Sequence, residues 1–328
     1  MTQEPFPVRA LFLSTRISGL APPNDTAHLK VHYPADPSGD EMERNTGQVR
    51  AATAGAPFPV IIFFPGINVG PEGLSWLAVS LASRGMIVVT YTLIGEEFLG
   101  QVSLTPGIDI AALAPDSYGT RPSSLALAPI LTRLTACHEA GPLAGLIDMN
   151  RIVLGGHSAG GAIALLNGRA DWCPGIRATF AYAAHTAAAT ILGWPMGTMN
   201  PIPADVPVLI MGGSQDGIIA ESAPRYGDPP GDPTGRIVAT FEHALSRTQG
   251  DCVLAILKGA NHFSITEHPD TSTARAFLDW PETGGDSRLL IKDVIVAFIA
   301  QALDDTEGDT LWSKVTDQAD RFERLKRR

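Results

Sequence analysis

At 328 residues, with 45% apolar and 18% charged side chains, the chain has the make-up of a large globular α/β protein and not of a disordered or collagen-like one. A net charge of −10 argues against a nucleic-acid surface, and no apolar run reaches membrane-spanning length, so neither nucleic acid nor membrane is an expected partner. The odd count of three cysteines cannot close a disulfide framework, and the apolar patch Val8–Leu20 lacks a cleavage signature, so a cytoplasmic location is expected.

Short β-branched apolar runs alternate with helical patterns, the mark of a mostly parallel sheet covered on both faces. Strands are predicted near Val8–Leu13 and at Thr26–Tyr33, followed by a polar, Gly- and Pro-rich hairpin or loop from Pro34 to Pro59. A strand at Val60–Phe64, a helix at Leu74–Ser83 and a strand at Ile87–Tyr91 come next, then a long excursion over 92–122. The pattern resumes with a helix at Ser123–Thr135, a strand at Ile152–Leu154, a helix at Ala159–Asn167 and a strand at Ala178–Tyr182. Strands at Val208–Met211 and Cys252–Leu257 and helices at Thr240–Gln249 and Leu289–Leu303 complete the series, and the basic run Arg321–Arg328 reads as a solvated helix end. No repeat or long linker divides the chain, so 1–328 is expected to be a single domain, with 183–206 and 217–236 as cap or pocket insertions.

Chemistry enters at "RIVLGGHSAGGAIALLNG", Arg151–Gly168. A buried-strand run leads into Gly-His-Ser-Ala-Gly, and a run of helix formers leads out. This is the context a nucleophile elbow needs: a serine in a strained conformation on a sharp strand-to-helix turn, with glycines two residues away on either side. Ser158 would stand at a helix N-terminus, where developing negative charge is favoured.

A serine hydroxyl needs an adjacent base, and the base an orienting acid, in the chain order serine, acid, histidine. "VPVLIMGGSQDGII" places Asp216 just past a strand, and "CVLAILKGANHFS" places His262 in the loop after the next. Asp205, Glu221, Asp228 and Asp232 compete for the acid role, but only Asp216 directly follows a strand. The oxyanion hole is expected from the backbone N–H groups of Ala159, after the nucleophile, and Ile67, in the "PGIN" turn after the strand at Val60. Phe98, Leu99, His185, Trp194, Met196, Ile218 and Phe263 fall in loops at the same edge and are candidates for an apolar substrate pocket. His157 is expected to pack beneath the turn, and Glu96 and Glu97 to be solvated. No metal site is expected among the eight histidines.

With "PVIIFFPGINVG", "LASRGMIVVTYT", "GLIDMNRIVLGGHSAGG", "VPVLIMGGSQDGI" and "KGANHFS", the chain resembles the α/β-hydrolase superfamily. Within it the chain is most similar to the branch of dienelactone-hydrolase-like esterases, chlorophyllases, platelet-activating-factor acetylhydrolases and cutinase-like polyester hydrolases. The resemblance implies a doubly wound sheet of about eight strands with a Ser-His-Asp triad at its carboxyl edge. It also supports the roles given to Ser158, Asp216, His262, Ile67 and Ala159. Chlorophyllases usually carry a bulkier residue where this chain has Ala159, and dienelactone hydrolases a cysteine where it has Ser158, so neither substrate carries over.

The expectation is a serine esterase acting on a small-molecule ester, apolar or aromatic, through an acyl-enzyme and without a cofactor. Amide or thioester hydrolysis, or a lyase reaction, on the same fold is the alternative. A nucleotide-binding module using the Gly-rich turn is the rival from another class, although it lacks G-x-G-x-x-G and leaves Asp216 and His262 without a role. Nothing in the sequence signals an oligomeric state.

Overall fold

The computed structural model describes residues 4–96, 100, 102–203, 205–246, 251–273, 275–304 and 307–328. Its strands are β1 (Val8–Arg16), β2 (Thr26–Pro34), β3 (Phe58–Phe64), β4 (Ile87–Thr92), β5 (Ile94–Glu96), β6 (Val102–Leu104), β7 (Ile147–His157), β8 (Ile176–Tyr182), β9 (Val208–Gly213), β10 (Val253–Leu257) and β11 (Phe322–Arg327). Its helices are α1 (Glu41–Thr46), α2 (Ser75–Ala82), α3 (Leu127–Glu139), α4 (Ala159–Leu166), α5 (Gly217–Glu221), α6 (Gly235–Ala239), α7 (Arg288–Ala302) and α8 (Gly308–Thr316).

Nine strands form one sheet in the order β1-β2-β4-β3-β7-β8-β9-β10-β11. The six from β4 to β10 run parallel, while β1, β2 and β11 are antiparallel to their neighbours. Every residue of β3 is buried, because helices cover both faces. Alternation then sorts the side chains. Ile61 and Phe63 pack with α2, α7 and α8, whereas Val60, Ile62 and Phe64 pack with α3 and α4. A third cluster joins Ile210, Leu254 and Ile256 to Ile237 and Phe241. Among the described residues no helix is long and apolar enough to cross a membrane.

Four local expectations are corrected. The basic run at 321–328 is not a helix end: it forms edge strand β11, which pairs with β10 and buries Phe322. Four of its six residues are charged, which makes it read as solvated helix and also protects a sheet edge from further pairing. The helix predicted at Thr240–Gln249 begins earlier, as α6, continues through a wide π turn at Thr240–Ala244, and gives way to extended backbone at Leu245; Gln249 lies outside the described residues. Asp232 sets that earlier start by accepting the Thr234 and Gly235 N–H groups at 2.9 and 2.7 Å. The loop from Pro34 to Pro59 contains α1, capped by Asp40. The excursion over 92–122 contains the β5–β6 hairpin. His28 and His32 both lie on β2, where four residues span about 13 Å, too far to share one ion.

Candidate active site

β7 runs into α4 through a single residue, Ser158, whose φ of 55° and ψ of −125° belong to a conformation that non-glycine residues rarely adopt. The turn is tight enough to exclude neighbouring side chains. A Cβ on Gly156 would collide with the Gly160 carbonyl, and one on Gly160 with the carbonyls of Phe64 and Pro65. Small residues here are therefore a packing requirement, and Ser158 itself is half-buried at the carboxyl edge of the sheet.

Loops after β9 and β10 bring Asp216 and His262 to this hydroxyl. His262 Nε2 lies 2.9 Å from Ser158 Oγ, and Nδ1 lies 2.9 Å from both Asp216 oxygens. With Nδ1–H donating to the carboxylate, Nε2 is the acceptor for the serine proton. Asp216 is fully buried and also accepts the Ile219 N–H at 2.8 Å, which caps α5. Burial disfavours the charged imidazolium, but the charge and hydrogen bond of Asp216, joined by the charge of Asp279, outweigh it and raise the His262 pKa above 6.5.

The strand-end turn Pro65-Gly66-Ile67 sits directly against the elbow. The position of a Cβ on Gly66 is 3.2 Å from Ser158 Cβ and 2.7 Å from His157 Nδ1. Among the described residues neither the Ile67 nor the Ala159 N–H has a hydrogen-bond partner. Asn68 anchors the turn: in the left-handed region at φ 59°, its N–H donates to the Leu104 carbonyl at 3.0 Å and its Oδ1 accepts the Leu104 N–H at 3.2 Å. The excursion thus braces the turn through β6.

His157 is buried beneath the elbow. Its Nε2–H donates to the His262 carbonyl at 2.9 Å, its ring stands 4.8 Å from that of His262, and burial holds its pKa well below the usual value. Phe263 is half-buried with its ring edge-on to His262 at 5.4 Å, and Ile218 is buried in α5. His185 is buried beside Arg236, whose Nε–H donates to its Nε2 at 3.3 Å; burial and that cation push its pKa down to about 3. Trp194 donates to the Leu113 carbonyl at 2.7 Å and meets Tyr118 edge-on, so it ties the insertion to the excursion. Met196 is 70% exposed against Gly227, and Glu96 is solvated. Phe98, Leu99 and Glu97 lie outside the described residues.

Sequence reasoning passed over the groups that hold the base loop. The Tyr182 hydroxyl donates to the Asn261 carbonyl at 2.7 Å, and Trp76 Nε1–H donates to the Ile265 carbonyl at 2.9 Å. Asp279 accepts the His262 N–H at 3.2 Å. No motif marks these residues, since what they touch is backbone.

No protein-family model matches the sequence, and no curated protein matches it. Among solved structures, a ferulic acid esterase from Streptomyces cinnamoneus is similar, with a TM-score of 0.54 over 92% of this chain and 90% of that one. At 17% identity the likeness bears on architecture alone. Together with the mostly parallel nine-stranded sheet flanked by helices, it shows that the chain has the α/β-hydrolase fold.

Proposed function

We propose that the protein is a serine hydrolase that cleaves a carboxylic ester of an apolar or aromatic small molecule through an acyl-enzyme. The observation that carries the proposal is the unbroken hydrogen-bonded series Asp216–His262–Ser158, with 2.9 Å at each imidazole nitrogen, on a strained strand-to-helix turn. Ser158 attacks the ester carbonyl as His262 Nε2 takes its proton. Asp216 keeps the proton on Nδ1 and stabilises the imidazolium. The N–H groups of Ile67 and Ala159, unpaired among the described residues, hold the tetrahedral oxyanion, each contributing about 3 kcal/mol to the transition state. His262 then protonates the departing alcohol and activates the water that releases the acid.

Ester rather than amide or thioester cleavage is supported by the similarity of the fold to that of a ferulic acid esterase. The insertions over 183–206 and 217–236 are assigned to the substrate rim, with His185, Trp194, Met196, Ile218 and Phe263 as its candidate contacts. The test is labelling by an organophosphonate, with turnover of matched p-nitrophenyl ester, anilide and thioester substrates. Labelling at Ser158, lost in Ser158→Ala along with turnover of the ester, is expected. Turnover retained by Ser158→Ala, or labelling elsewhere, overturns the assignment.

A further inference from the structure

A second carboxylate lies beneath the triad. Asp279 follows the short 3-10 turn Ala276–Leu278 and is half-buried. Its Oδ1 accepts the N–H of His262 and of Gly217, both at 3.2 Å, and that of Trp280 at 3.1 Å; Oδ2 accepts the Phe263 N–H at 3.4 Å. Gly217 directly follows Asp216, so one side chain grips the backbone of the acid loop and of the base loop together. Upstream, the two loops are joined by the Gln215 N–H donating to the Ala260 carbonyl at 2.8 Å. Asp279 supplies the matching tie downstream.

We propose that Asp279 is a positioning residue for the reaction: it holds the Asp216 and His262 loops at the separation at which acid, base and nucleophile are in register. This rests on the serine-hydrolase assignment above. The other ties to the His262 loop from Tyr182, His157 and Trp76 fall on the carbonyls of Asn261, His262 and Ile265, and none of them also reaches the loop that carries Asp216. Among the described residues the His262 N–H has no acceptor but Asp279. The titratable groups around this carboxylate are His262, Asp216 and the buried Tyr182 hydroxyl. Burial pushes its pKa up to about 6, His262 pulls it down and Asp216 pushes it up, and its charge in turn favours the His262 imidazolium.

Two variants separate geometry from charge. Asp279→Asn keeps an oxygen for the His262 and Gly217 N–H groups and loses the charge; Asp279→Ala loses both. Asp279→Ala is expected to lower kcat by about tenfold or more with little change in KM, and to lose hydrogen-exchange protection at the His262 and Gly217 amides. Asp279→Asn is expected to recover most of kcat and the protection. In both, the acid limb of the kcat/KM profile should move to lower pH, because His262 has lost a neighbouring anion. Wild-type kcat and amide protection in Asp279→Ala overturn the proposal. Should that variant not fold, a kcat as low as about a tenth in Asp279→Asn, or His262 and Gly217 amides that lose their protection there, overturns it instead. Absence of phosphonate labelling at Ser158 in the wild-type protein is a different failure: it removes the hydrolase assignment, whereas the amide protection reads the tie without reference to turnover.

Discussion

Gly66→Ala sets two physical effects against each other. The φ of Gly66 lies outside the left-handed region, so alanine could adopt its backbone conformation. Restricting the unfolded chain would then stabilise the protein by about 0.4–1 kcal/mol. The structure predicts the opposite sign. The new Cβ would sit 2.7 Å from His157 Nδ1 and 3.2 Å from Ser158 Cβ, the first about 0.7 Å inside ordinary van der Waals contact. The His157 ring cannot swing aside, because it is fully buried and its other nitrogen donates to the His262 carbonyl at 2.9 Å. Overpacking of this kind costs about 1–3 kcal/mol, which at mid-range exceeds the entropic gain and leaves a net loss of about 1.3 kcal/mol. The larger effect is on rate. Relief of the contact moves the Ile67 N–H away from Ser158, or presses His157 against the base, and a misplacement approaching 1 Å lowers turnover by about 100-fold. Thermal unfolding and initial rates on a short-chain p-nitrophenyl ester measure both. A variant as stable as the parent with undiminished kcat would show that the turn does not meet the elbow as described.

Asp216→Asn should lower kcat by about 10⁴-fold by favouring the wrong imidazole tautomer; a comparable loss in Asp205→Asn or Glu221→Gln instead would show that the acid is elsewhere. Because the base must be neutral and the His262 pKa is raised above 6.5, kcat/KM should rise with pH through a midpoint above 6.5, and a midpoint below it contradicts the ion-pair geometry. Stability should fall as pH drops from 7 towards 4. His32, His157 and His185 are held neutral in the native state, with pKa values of about 4 for His32 and about 3 for His185, while the unfolded chain takes up these protons near 6.5. Asp279, raised to about 6, offsets one of the three between that pH and 3.8. His262 acts in the opposite sense above 6.5, where its contribution is lost as pH rises through its native pKa. Urea midpoints at pH 7, 5.5 and 4.5 measure the trend, and a midpoint that holds level or increases towards acid would refute it.

The parallel core was legible because β3, β9, β10, nearly all of β8 and the second half of β7 are buried on both faces and so read as apolar runs, with turn residues at their carboxyl ends. Those ends are where the candidate site lies, so Ser158, Asp216 and His262 could be picked out one strand at a time. What escaped were elements whose pattern reflects only one neighbour. β11 has a single partner strand and a solvated edge, so charges at Glu323, Arg324, Lys326 and Arg327 hid it. α8 does space its buried Gly308, Trp312 and Val315, with Leu311 beside them, as a helix does, but most of its nine residues are polar, so no apolar run marks it. Nothing in the sequence shows that Gly66 is needed for space, because the His157 and Ser158 atoms that a Cβ there would meet come from a different strand end. Asp279 was invisible because an aspartate that accepts backbone N–H groups from distant loops has the same local sequence as one that faces water.

The double hydrogen bond between Asn68 and Leu104 bears on how this protein can be redesigned. The peptide group expected to receive the oxyanion is steadied from outside the nine-stranded sheet, by the β5–β6 hairpin. A graft that swaps the β5–β6 hairpin to alter selectivity would therefore alter turnover as well, unless the new segment offers main-chain groups to Asn68 in the same register.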